Sequence, residues 1–202
     1  MTAITHGTAL WYASRATGVV TLLLLTGVVL LGMLVNRQGR LPGLPGFAVT
    51  GLHRNVSLLA VAFLAVHVLT AVADPYVTIG LAAVVLPFAS AYKAFWLGMG
   101  AVSLDLVAAL ILTSLARARM PRGAWRGIHW LAYAAWPLAI VHSLGSSTDA
   151  RSGPVLALVA GCVLVTAVAL AWRLSHAARE VPPAGRAAAV LDHMSARKAG
   201  LR

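Results

Sequence analysis

Apolar residues fill this chain in five long blocks, at about 10–35, 52–73, 94–116, 127–144 and 154–174. A helix rises 1.5 Å per residue, so roughly 20 apolar residues cross a hydrocarbon core about 30 Å thick. The pattern predicts an all-α integral membrane protein: a five-span helical bundle over 1–175, followed by a basic tail over 176–202. Trp11 and Tyr12 open the first span as interfacial aromatics. Pro42-Gly43-Leu44-Pro45-Gly46 breaks the chain before the second span, and Asp74-Pro75 ends that span. The stretch 77–92 is different. Its apolar run, Val77 to Pro87, has only 11 residues, which suits a re-entrant or surface segment.

Composition sharpens this picture. Of 202 residues, 60% are hydrophobic and 10% charged, and the formal net charge is +11. In a soluble domain such a charge suggests nucleic acid. Here the basic residues sit in loops and tail, so no nucleic-acid partner is expected; the partner is the lipid bilayer, with its anionic headgroups. With five spans, thirteen Lys and Arg fall on one side: Arg37, Arg40, Arg54, the four of loop three, and six in the tail. Arg15, Lys93 and Arg151 fall on the other. The expected placement is multi-pass in the plasma membrane, N-terminus outside and C-terminus in the cytoplasm. A sixth span at 77–92 would erase that bias. The lone Cys162 excludes a disulfide within the chain and any Cys-based zinc or iron–sulfur motif.

The candidate chemistry lies in four histidines. His53 and His67 stand 14 residues apart in the second span; His129 and His142 stand 13 apart in the fourth. On a helix each spacing is about 20 Å of rise, which places one imidazole toward each membrane face. Ionisable residues inside a membrane are rare and usually functional. With one span between them, the two helices run parallel. His53 then shares the cytoplasmic level with His129, and His67 the outer level with His142. Two opposed imidazole pairs fit two stacked b-type haems, with His53 and His129 on the inner iron and His67 and His142 on the outer. One irregularity remains: thirteen residues leave His129 and His142 about 140° apart on an ideal helix. Pro137 lies between them, and a distorted fourth span is expected there.

Haem propionates need cations. Arg54 adjoins His53, and Arg126 lies one turn before His129, at the inner level. Arg15 is the matching candidate at the outer level; plain interfacial flanking explains each of the three equally well. Asp105, in mid-span, is costly there and is a candidate proton relay. Trp130 and Trp136 flank the haem zone as packing residues. No residue stands out as catalytic.

At these histidines the chain resembles the ferric-reductase-like transmembrane domain family. That family includes the haem domains of NADPH oxidases, ferric-chelate reductases and the haem subunit of bacterial methionine-sulfoxide repair. Its signature is two His pairs, spaced 14 and then 13, on helices with one span between; His53, His67, His129 and His142 match both numbers and their order. Ser14-Arg15-Ala16 also resembles the arginine-bearing helix near the outer haem of the oxidases. The likeness covers roughly 10–175. It implies the electron-transfer subunit of a ferric-reductase-like oxidoreductase. Family oxidases carry a flavin and nicotinamide module after the last span. The 28 residues after Leu174 hold no dinucleotide fingerprint, so no flavin or nicotinamide site is expected in this chain. The expected donor is a separate flavoprotein or quinol. The expected acceptor is extracytoplasmic: a ferric chelate, a partner reductase or oxygen. The competing reading is a haem or metal transporter that uses the same histidines as transient ligands. It predicts inverted repeats or broken helices, and the sequence shows no inverted repeat.

Overall fold

The computed structural model describes residues 2–36, 45–75, 77, 79–146 and 153–180. Most of the first predicted loop, the turn at 147–152 and the tail from 181 lie outside the described residues. The elements are α1 (Thr2–Asn36), α2 (Gly46–Ala73), α3 (Ala82–Val85), α4 (Ala94–Leu115), a 3-10 turn (Arg117–Arg119), α5 (Arg122–His129), α6 (Ala132–Ser146) and α7 (Gly153–Glu180). The chain divides into two compact units, 1–166 and 167–202. Of the second, only the continuation of α7 to Glu180 is described.

Four helices are long and apolar enough to cross a membrane: Thr8–Val35, Gly46–Ala73, Ala94–Leu115 and Gly153–Ser175. They correspond to predicted spans one, two, three and five. Lipid offers backbone groups no partner, so such segments must satisfy their hydrogen bonds internally, and helices do. α2 begins six residues before its expected start, because Pro45 serves as its N-cap. The Pro45 carbonyl accepts from the amides of Ala48 and Val49, so the Pro/Gly cluster also supplies a helix start. At the other end Asp74 is extended, as a residue before proline prefers.

The predicted fourth span is built from two pieces. α5 and α6 are joined at Trp130–Leu131 by a tighter winding. The amide of Leu131 donates to the Ile128 carbonyl (2.9 Å), and those of Tyr133 and Ala134 donate to Trp130 and Leu131 (both 3.0 Å). Bonds spanning three residues wind the chain about 120° per residue instead of 100°. Three or four such residues add roughly 60–80° and remove about half of the roughly 140° mismatch between His129 and His142. The expected distortion is therefore present, but not where Pro137 suggested. Pro137 lies inside α6 without ending it.

The segment 77–92 provides one helical turn, α3, and not a span. Its return toward α4 is sharp. Phe88 and Lys93 both take positive φ, 67° and 43°. The Phe88 ring occupies the space where a Cβ on Gly98 would sit.

α1 packs along α2, α4 along α6, and α1 also reaches α6. The buried core joins Leu22 of α1, Ile140 of α6 and Val159 and Cys162 of α7, with Trp136 and Leu144 against it. Side-chain bonds that tie helices together include Ser103 Oγ to the Ala135 carbonyl (2.9 Å) and Trp136 Nε1 to Thr26 Oγ1 (3.0 Å). α2, by contrast, makes no broad backbone contact with α5 or α6 among the described residues. Between these helices it is the imidazoles that approach.

Candidate functional site

The four histidine rings meet as two couples. His53 faces His129 with ring centroids 6.4 Å apart and planes crossed at 66°. His67 faces His142 at 6.3 Å and 77°. These are the couples that parallel helices make, with equal levels matched. The separation has chemical meaning. A metal–imidazole bond of about 2.0 Å and a nitrogen-to-centroid offset of about 1.1 Å, each counted twice, sum to about 6.2 Å. The separation of each couple thus matches that of two imidazoles on opposite sides of one metal ion. Among the described residues no three His, Cys, Asp or Glu side chains cluster. A metal held here would need its remaining ligands from elsewhere, as from a flat macrocycle.

The far nitrogens decide which atom is free to ligate. His67 Nδ1 lies 2.8 Å from the Ser14 carbonyl on α1. His142 Nδ1 lies 2.9 Å from the Trp96 carbonyl on α4. A carbonyl only accepts, so both Nδ1 atoms carry the proton and both Nε2 atoms keep their lone pair. The acceptors come from neighbouring helices rather than from a turn of the same helix.

Glycines make those close approaches possible. A Cβ on Gly18 would lie 2.9 Å from His67 Cε1, and one on Gly100 would lie 2.5 Å from His142 Nδ1. Gly32 faces His53 at a looser 3.5 Å. Sequence reasoning passed over these glycines although a signal was present. Gly18 and Gly32 are spaced 14 residues, like His53 and His67, and the antiparallel helices α1 and α2 pair them in reverse order.

The His53–His129 end is built differently. Neither Nδ1 makes a hydrogen bond among the described residues, although both atoms are buried. His129 instead stacks on Trp125, with centroids 4.7 Å apart and planes within 27°, and the Arg117 guanidinium lies 4.5 Å from the centroid of the same indole. Arg54 and Arg126 are exposed beside this couple. Arg15, half-buried, follows Ser14 directly and lies 4.0 Å over the Trp11 ring, at the level of the His67–His142 couple. Asp105 is half-buried on α4. Trp136 is committed to its bond with Thr26, and Trp130 is exposed.

No curated protein and no solved structure matches the chain. A family described as ferric reductase like transmembrane component matches residues 17–140, from one residue before Gly18 through the helix that carries His129 and into α6. Domains of this kind serve membrane redox and electron transfer and generally bind haem. With more than half of its length matched, the chain belongs to the ferric reductase-like transmembrane family.

Proposed function

We propose that this chain is a di-haem b-type cytochrome subunit that carries electrons across the plasma membrane. The single observation behind the reading is the pair of facing imidazole couples at 6.4 and 6.3 Å. When bound, each haem would supply a one-electron centre, suited to passing electrons, with His53 and His129 or His67 and His142 as the residues that would hold it.

The chain's own residues do the rest. His53 with His129, and His67 with His142, present one imidazole nitrogen each toward the space between them. The Ser14 and Trp96 carbonyls hold the Nδ1 protons of His67 and His142 and fix those rings. Arg54 and Arg126 supply cations for propionates of the inner haem, and Arg15 for the outer. Arg117, Arg119, Arg122 and Arg126 are exposed at the His53–His129 end, which supports a cytoplasmic placement of that end. A flavoprotein or quinol delivers electrons there. An extracytoplasmic ferric chelate, partner reductase or oxygen receives them at the other end.

The test is to purify the full chain from cells supplied with haem. Two low-spin b-type haems per chain are expected, retained through detergent washing. Replacing His67 or His142 by Ala should remove one haem and leave the other. A preparation without low-spin bands refutes the reading. Haem that washes out readily points instead to transient ligation and transport.

A further inference from the structure

We propose that Trp125 is a positioning residue for the His129 imidazole, fixing its plane by stacking where the other haem site uses hydrogen bonds. The proposal rests on the di-haem reading.

An imidazole turns about a torsion whose wells are broad, so a ligand ring needs something to hold its plane. At His67 and His142 a carbonyl on a neighbouring helix does so through Nδ1. At His129 no such bond exists among the described residues, although Nδ1 is buried. What lies against the ring is the Trp125 indole, 4.7 Å away and nearly parallel. The two residues are four apart on α5, the spacing that puts side chains on one face of a helix. The indole is itself held. Arg117, from the 3-10 turn, lies over it at 4.5 Å. The indole thus contacts both a guanidinium and the imidazole, and the cation favours the electron-rich indole face.

The indole uses its face and not its polar edge. Trp125 Nε1 is buried and has no hydrogen-bond partner among the described residues. A tryptophan kept for an N–H bond would show the opposite pattern. The arrangement also makes the two haem sites unequal. A ring whose Nδ1–H is bonded to a carbonyl is the more basic ligand. His129 lacks that bond and has the Arg117 cation on the indole it stacks against, which favours the reduced state.

The experiment uses the purified, haem-loaded full chain and reads the low-spin ferric electron paramagnetic resonance signal and midpoint potential of each haem. Trp125→Leu keeps apolar volume but removes the stack; Trp125→Phe keeps a ring. Leu should shift the g values and midpoint of one haem, or empty that site, and leave the other unchanged. Phe should restore the wild-type signals. Arg117→Gln should lower the midpoint of the same haem with both haems retained. Trp125→Leu with both signals and both midpoints unchanged overturns the proposal. If Leu empties both sites, Phe decides: two wild-type signals support the stack, and altered ones overturn it. A wild-type chain without two low-spin signals refutes the di-haem reading and takes this inference with it, a result distinct from an unresponsive Trp125.

Discussion

Gly100 and His142 meet so closely that a Cβ on the glycine would lie 2.5 Å from the imidazole Nδ1. The same nitrogen sits 2.9 Å from the Trp96 carbonyl. α4 is therefore a mould for one face of the ring, and a single methyl group would push the ring off its carbonyl anchor.

A graded series follows from the glycine distances. Gly100→Ala should empty the His142 site or abolish its low-spin signature. Gly18→Ala, at 2.9 Å from His67 Cε1, should weaken haem retention less severely. Gly32→Ala, at 3.5 Å from His53 Cε1, makes an ordinary contact and should retain both haems. In a helix interior alanine is favoured over glycine by about 1 kcal/mol, so this last variant should be neutral or slightly stabilised. Haem counted per chain checks the order. Gly32→Ala losing haem as readily as Gly100→Ala would contradict it.

Lys93 secures the end of the helix that carries His142. Its Nζ donates to the carbonyls of Gly145 and Ser146, at 3.2 and 3.1 Å. The last carbonyls of a helix lack partners within it, and a cation there also complements the helix dipole. Lys93→Met should cost about 1 kcal/mol and fray the last turn of α6. Faster amide hydrogen exchange over 142–146 is the expected readout, and Lys93→Arg should restore protection. Because the Trp96 indole seats on Gly145, fraying should also weaken haem retention at His142 before it affects His53.

Much of this was legible in the sequence, for a physical reason. Apolar blocks long enough to cross lipid have no alternative to the helix, so hydropathy places α1, α2, α4 and α7 closely. The histidine spacings likewise carry the couples that face each other. What escaped was the detail of close packing. Gly18 and Gly100 look like unremarkable small residues until a ring is set against them. The Ser14 and Trp96 carbonyls are backbone atoms that no residue type announces. Trp125 and Arg117 read as loop composition, because a stack depends on how the 3-10 turn folds back onto α5. The distortion of the fourth span was foreseen and misplaced, since proline is visible in a sequence and a local overwinding is not.

Ser103 tests how much the bundle depends on buried polar ties. Its hydroxyl is buried and donates to the Ala135 carbonyl across the α4–α6 contact. Such bonds between membrane helices average about 0.6 kcal/mol. Ser103→Ala leaves no donor unpaired, so the loss should be of that size: roughly 2 °C in a thermal melt followed by haem absorbance, with stoichiometry unchanged. A larger fall would mean that the hydroxyl positions α6, and with it His142.

Pro137 offers the sharpest contrast between a visible and an actual cause. If the proline turned His142 toward His67, Pro137→Ala should scramble the couple. The structure places the re-aiming at Trp130–Leu131, where three amides bond to carbonyls three residues back. Pro137 only withholds one amide from the Tyr133 carbonyl inside a helix that continues past it. Pro137→Ala should therefore retain both haems and gain about 1 kcal/mol from the restored bond. One alanine inserted between Trp130 and Leu131 should do the reverse. It rotates everything after it by about 100° and carries His142 away from His67, while His129, before the insertion, keeps its place opposite His53. One haem per chain is the expected count for the insertion and two for the proline replacement; the opposite assignment would return the cause to Pro137.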